Sequence, residues 1–173
     1  QTALRLARAE IAIEQLATID PMTGLLNRRG LTNQAHLIRG AARRTQQPVF
    51  AVFIDVGGLK VMNDTYGHAT GDALIMATAE AVQRVARETD LACRWGGDEF
   101  LVIGVGLRPN PSEVNRRLLA VLDSSGLPAG WSPVLWTGSA QSVDAMEQLD
   151  SVILRADQDL YAHRPRSREH TPY

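Results

Sequence analysis

A single cysteine, Cys93, stands in the 173 residues, so the chain can form no internal disulfide, and no Cys/His pattern at zinc-ligand spacing accompanies it. A reducing, cytoplasmic setting is the expectation. No apolar run approaches the roughly 18 residues that a membrane-spanning helix needs, and no secretory leader opens the chain. The segment therefore reads as soluble, which leaves open a membrane anchor elsewhere in a longer parent; the opening Gln1 in place of Met reads as a piece of such a parent. Charge of either sign is not in excess, with 18 Lys plus Arg against 19 Asp plus Glu. No global basic field exists to attract nucleic acid, and any anionic ligand must be held locally. Aromatic residues are few, and Trp95, Trp131 and Trp136 lack the spacing of a stacking platform for single-stranded nucleic acid.

What the chain does have is 45% hydrophobic residues, enough to bury one sizeable core without staples. Residues 18–173 read as one domain, preceded by a helix over residues 1–17. In that helix Leu6, Ala9, Ile13 and Leu16 alternate spacings of three and four, which fits a coiled-coil seam or a plain amphipathic helix equally well. Asp20-Pro21-Met22-Thr23-Gly24 breaks it, and a second helix is expected over 28–44. The β-rich run 48–56 (PVFAVFIDV) reads as a buried strand that leaves the core at Asp55. A short helix to about residue 66, a loop through Gly67-His68, and a long helix over 70–88 follow. Strands are expected at 91–95 and 100–105, joined by Gly96-Gly97-Asp98-Glu99 as a hairpin with turn glycines. Asn110-Pro111-Ser112-Glu113 carries a cap, a proline at the first helical position and Glu three on, which predicts a helix to about residue 122. A weak strand at 134–140 and helix within 144–162 complete an α/β (α+β) pattern, a mixed sheet covered by helices.

Two adjacent acids behind two glycines have a bland reading, a turn with solvated carboxylates. Asp55 changes the balance. If its strand pairs beside the hairpin, Asp55, Asp98 and Glu99 crowd one sheet edge, where like charges repel unless a hard cation with oxygen ligands neutralises them. Such an ion would bring a phosphorylated substrate, and phosphoryl or nucleotidyl transfer is the reaction class the acids suggest.

Three ordered motifs, Asp20-Pro21-Met22-Thr23-Gly24-Leu25-Leu26-Asn27-Arg28-Arg29, then Asp55 through Asn63-Asp64-Thr65-Tyr66-Gly67-His68-Ala69-Thr70-Gly71-Asp72, then Gly96-Gly97-Asp98-Glu99-Phe100, closely resemble the GGDEF-domain diguanylate cyclases. The resemblance covers about residues 18–168 and is strongest before Val105. It implies a central mixed, mostly antiparallel five-stranded sheet flanked by helices, related to the nucleotidyl-cyclase palm. It implies an enzyme that joins two GTP into cyclic di-GMP, as a homodimer of half-sites with Mg²⁺ or Mn²⁺, under an upstream sensory domain. By position it makes Asp55, Asp98, Glu99 and the carbonyl of Val56 metal ligands, with Asp98 and Glu99 the catalytic acids. Asn63 and Asp72 would contact guanine, although Asp72 also reads as a helix cap. Lys60 and the pair Arg164 and Arg168 would contact phosphates, and Gly96 with Gly97 would let the backbone approach the triphosphate. Arg87 and Asp90 match the family's RxxD site for inhibition by cyclic di-GMP, with a solvated Arg–Asp pair as the plainer alternative.

One departure stands out: Gly57 occupies a position where the family usually carries a second Asp. Gly57 is expected to weaken the site's edge without abolishing it, and it keeps alive a second reading, a degenerate domain that senses cyclic di-GMP or GTP without making product. A dimerisation domain without nucleotide is a third, which leaves Asn63 and Asp72 unexplained. His68 is expected to order its loop through a hydrogen bond in preference to ligating a metal, and Cys93 to lie in the core.

Overall fold

The computed structural model describes residues 18–144 and 146–164. The expected helix over 1–17 and Arg168 lie outside the described residues. In chain order the elements are β1 (Leu26–Asn27), α1 (Arg28–Thr45), β2 (Val49–Gly57), α2 (Leu59–Tyr66), α3 (His68–Val85), β3 (Leu91–Arg94), β4 (Glu99–Val105), α4 (Pro111–Leu122), β5 (Val134–Gln141) and α5 (Leu149–His163). The strands form one five-stranded sheet in the order β1-β3-β4-β2-β5. Only β1 with β3 is parallel; the other pairs are antiparallel. The mixed, mostly antiparallel sheet expected from the sequence is thus the sheet observed.

The central strand β2 is buried at all nine positions because helices cover both sheet faces. Phe50, Val52, Ile54 and Val56 enter one apolar cluster with residues of α3 and α4, while Val49, Ala51 and Phe53 enter a second with residues of α1 and α5. Strand side chains alternate, so Asp55 belongs to the face of Phe53, beneath α5. Gly138 on β5 sets how close that helix comes: a Cβ there would lie 2.1 Å from the Leu160 nitrogen and 2.3 Å from the Ala156 oxygen.

Local chemistry explains where the expected boundaries moved. The long helix spans 68–85 in place of 70–88: Gly67, at φ 88°, turns the chain straight into it, and the Asp90 carboxylate accepts the Arg87 N–H at 2.9 Å, in a turn beyond its end. The last helix starts at Leu149, five residues later than expected, since the Asp144 side chain accepts from the Met146 and Glu147 nitrogens and holds a separate turn. Asn110 caps α4 as expected, accepting from Ser112 and Glu113. The two-residue β1 was not anticipated. Among the described residues no helix is long and apolar enough to cross a membrane.

Candidate active site

Strand β2 ends between β4 and β5, and this juxtaposition assembles the acids. Asp55 pairs with Glu99 on one side and Trp136 on the other, and the Val56 N–H donates to the Asp98 carbonyl at 2.9 Å. Asp55 is only 7% exposed. Its Oδ2 accepts from Arg164 Nη1 at 3.3 Å, while Oδ1 is buried without a hydrogen-bond partner. Burial pushes the Asp55 carboxyl above its usual range; Arg164 pulls it down, and the charges of Asp98 and Asp157 push it up again. Glu99 is likewise raised, first by burial and then by Asp98, Asp55 and Asp157, against the opposing pull of Arg164. Four carboxylates therefore share one field. Among the described residues no three Asp, Glu, His or Cys side chains are gathered closely enough to hold an ion together. The orphaned Asp55 oxygen and a repulsion that Arg164 only partly offsets nonetheless suit a hard divalent cation with oxygen ligands.

The hairpin glycines work differently from a tight turn's. Neither Gly96 nor Gly97 has positive φ. A Cβ on Gly96 would lie 2.6 Å from Glu99 Oε2, so this glycine makes room for the Glu99 carboxylate, whereas Gly97 faces open space. The turn is held from outside: Arg94 donates to the Gly97 carbonyl through Nε at 3.1 Å and Nη2 at 2.7 Å, and through Nη1 to Asp20 Oδ1 at 3.3 Å. Asp20 also accepts from the Thr23 N–H and hydroxyl. Burial alone would raise the Asp20 carboxyl, but the Thr23 bonds and the Arg94 charge outweigh it and hold it below its ordinary value.

Gly57 is explained by its neighbour. A Cβ there would meet the Trp136 ring at 2.6 and 2.7 Å, so the indole lies directly over the strand where a larger residue would stand. On that ring rests the Arg164 guanidinium, 4.4 Å from the centroid.

The expected guanine contacts sit on α2 and α3, hinged at Gly67. Asn63 presses against Gly71, whose Cβ would fall 1.8 Å from Asn63 Oδ1, and that oxygen is buried without a partner. Asp72 follows Gly71 and is exposed, as is Lys60 in the first turn of α2. Arg87 and Asp90 lie at the opposite end of the sheet, in the turn after α3 and not on its last turn. Burial raises the Asp90 carboxyl, with the Arg87 N–H and charge opposing, and its Oδ1 is buried and unpaired. His68 opens α3 as an exposed residue and makes no hydrogen bond among the described residues, so it does not order the loop. Cys93 is buried, which pushes its thiol up to about 12, as expected of a core residue and not of a nucleophile.

Residues 17–170 match the family described as "Diguanylate cyclase, GGDEF domain". The chain belongs to the GGDEF domain family. Curated relatives of this GGDEF domain include response regulator PleD of Caulobacter vibrioides, 42% identical over 89 residues, or 51% of this chain and 20% of that protein. Diguanylate cyclase DgcM of Escherichia coli is 32% identical over 158 residues, covering 89% of this chain and 38% of that protein. The chain thus spans well under half the length of these relatives. Among solved structures, the coiled coil and GGDEF domain of DgcB from Caulobacter crescentus, in complex with c-di-GMP, superposes with a TM-score of 0.69 at 27% identity, covering 93% of this chain and 89% of that one. Diguanylate cyclase SiaD with its activator SiaC from Pseudomonas aeruginosa gives 0.72 at 28%, covering 93% and 63%.

Three features of this GGDEF domain escaped the sequence. Asp157 on α5 adds a fourth charge to the acid field, and together with Glu99, Trp95 and Arg28 it lines a cavity of about 310 Å³. The Asp20–Arg94 link and the Trp136 shelf are the others. All three join residues at least 28 positions apart, so no local pattern announces them; the one available signal was the missing side chain at Gly57.

Proposed function

We propose that this domain condenses two GTP into cyclic di-GMP, releasing two diphosphates. The observation that supports the reading best is the pairing of Asp55 with Glu99, beside Asp98, with one buried carboxylate oxygen left unpartnered. Asp55, Asp98, Glu99 and the Val56 carbonyl hold Mg²⁺ or Mn²⁺, which when bound neutralises triphosphate charge and polarises the reacting phosphorus. Asn63 donates to guanine O6 and Asp72 accepts from the N1–H and N2–H₂ edge. Lys60, Arg164 and Arg168 contact the phosphates, and Gly96 with Gly97 leave the backbone open to them. In each half of a homodimer the 3′-hydroxyl of one GTP attacks the α-phosphorus of the other, diphosphate leaves, and Glu99 takes up the hydroxyl proton. Residues 1–17 link the catalytic domain, residues 18–173, to an upstream sensory unit. Arg87 and Asp90 bind the product and restrain synthesis.

Incubation with GTP and Mg²⁺, followed by chromatography, tests this reading, with Asp98→Ala and Glu99→Ala as controls. Cyclic di-GMP from the unaltered chain, with a specific rate that rises with protein concentration, is expected, and none from either variant. No product at any protein concentration would refute it.

A further inference from the structure

The stack of Gly57, Trp136 and Arg164 is the feature of this edge that the reading above leaves without a purpose. Gly57 lets the Trp136 ring lie over the end of β2. The ring carries the Arg164 guanidinium at 4.4 Å, and from that seat Arg164 Nη1 reaches Asp55 Oδ2 at 3.3 Å. Trp136 is also the cross-strand partner of Asp55, so the shelf and the carboxylate share one register position. Arg164 caps the end of α5, its N–H donating to the Leu160 carbonyl. An arginine side chain samples many rotamers and loses freedom when it is fixed; stacking on the Trp136 indole is the contact that seats this one.

We propose that Trp136 is a positioning residue that seats Arg164 as the resident counter-cation of Asp55, so that a divalent ion entering this edge must displace the guanidinium. The inference rests on the reading of Asp55 as a metal ligand. It assigns Gly57 a purpose that differs from lost function: the position is small because the indole must lie there. It also couples the two ligands. The ion that takes Asp55 releases Arg164, and the released guanidinium, an anion-binding group, is free for the phosphates that arrive with the ion.

The test is Mn²⁺ binding by the nucleotide-free 173-residue chain, read from loss of the free-ion electron paramagnetic resonance signal. Because Arg164 is partly exposed, its removal is expected to tighten Mn²⁺ by about two- to fivefold in Arg164→Gln. Trp136→Leu should tighten it in the same direction while leaving every charge in place, Trp136→Phe should stay near the unaltered chain, and Gly57→Ala, which evicts the ring, should behave like Trp136→Leu. As a spectroscopic check, Mg²⁺ should change the tryptophan emission of the unaltered chain, and Trp136→Phe should abolish the change though Trp95 and Trp131 remain. Unchanged or weaker Mn²⁺ binding in both Arg164→Gln and Trp136→Leu, or no binding by any form at millimolar ion, overturns the proposal. The two readings fail separately: the predicted ranking in a chain that makes no cyclic di-GMP sinks the enzyme alone, and product from a chain whose variants all bind Mn²⁺ alike sinks the shelf alone.

Discussion

Replacing Arg94 by Ala removes the group that ties the Gly96-Gly97 turn to Asp20. Its bonds to the Gly97 carbonyl share one acceptor and count once, as a charge-assisted hydrogen bond of about 1.5–3 kcal/mol. The Asp20 pair, with side chains 16% and 17% exposed, lies between a surface pair of about 0.5 kcal/mol and a buried one of about 3 kcal/mol. Asp20 keeps its Thr23 bonds, so the lower half of that range applies, and the expected loss is about 2–4 kcal/mol. With a slope near 2 kcal/mol per molar urea, the unfolding midpoint should fall by roughly 1–2 M. A double-mutant cycle with Asp20→Asn isolates the pair, with a coupling of about 1 kcal/mol expected at pH 7. The Asp20 carboxyl is held below its unfolded value, so its stabilisation is fully present above about pH 4 and fades as pH falls through the lower folded value. A midpoint within about 0.3 M of the unaltered chain, or a coupling that survives protonation of Asp20, would refute the reasoning.

Gly71→Ala drives a methyl into Asn63 Oδ1, so GTP affinity measured by isothermal titration should drop at least about tenfold while helix propensity keeps the melting temperature near its original value; undiminished affinity would remove Asn63 from the guanine site. Asp55 and Glu99 are raised on folding, so their contribution is favourable below about pH 4 and is lost as pH rises through their folded values. In metal-free buffer the melting temperature should decline as pH rises from about 4 through the raised folded values, Mg²⁺ should restore part of the loss, and Asp55→Asn should flatten the profile. Gly138→Ala sets a Cβ against the backbone of α5 and should cost about 1–3 kcal/mol in urea unfolding. Arg87→Ala should abolish calorimetric binding of cyclic di-GMP at the sheet's far end, and equal affinity would retire that site.

Features carried by a local pattern were readable from the sequence. Asn110-Pro111-Ser112-Glu113 announced α4 because a cap, a fixed φ and a first-turn acid act within four residues. The apolar run ending at Asp55 announced β2 and, once paired with β4, brought Asp55 to Glu99. Contacts between distant positions were not readable. β1 is two residues long and pairs in parallel with β3, too short to show any period. Glu99 was placed in the turn although it is the first residue of β4, because two glycines before an acid look like loop whichever partner the carboxylate finds. Gly57 showed that something was missing from the edge, and only the fold showed that an indole fills the gap.

The stitching of the entry segment has a mechanical consequence. Residue 18 accepts from the Asn27 N–H at 3.0 Å, Ile19 bridges to Leu26, and a Cβ on Gly30 would fall 2.0 Å from the Thr18 oxygen, so the chain enters pinned to the start of α1. One residue further on, Asp20 grips Arg94, and Arg94 grips Gly97. A pull or twist applied upstream of Thr18 therefore reaches the glycine turn through the Arg94 side chain as well as through the pairing of β1 with β3. Torque on the entering backbone either strains that tether or reorients the two glycines beside the acids.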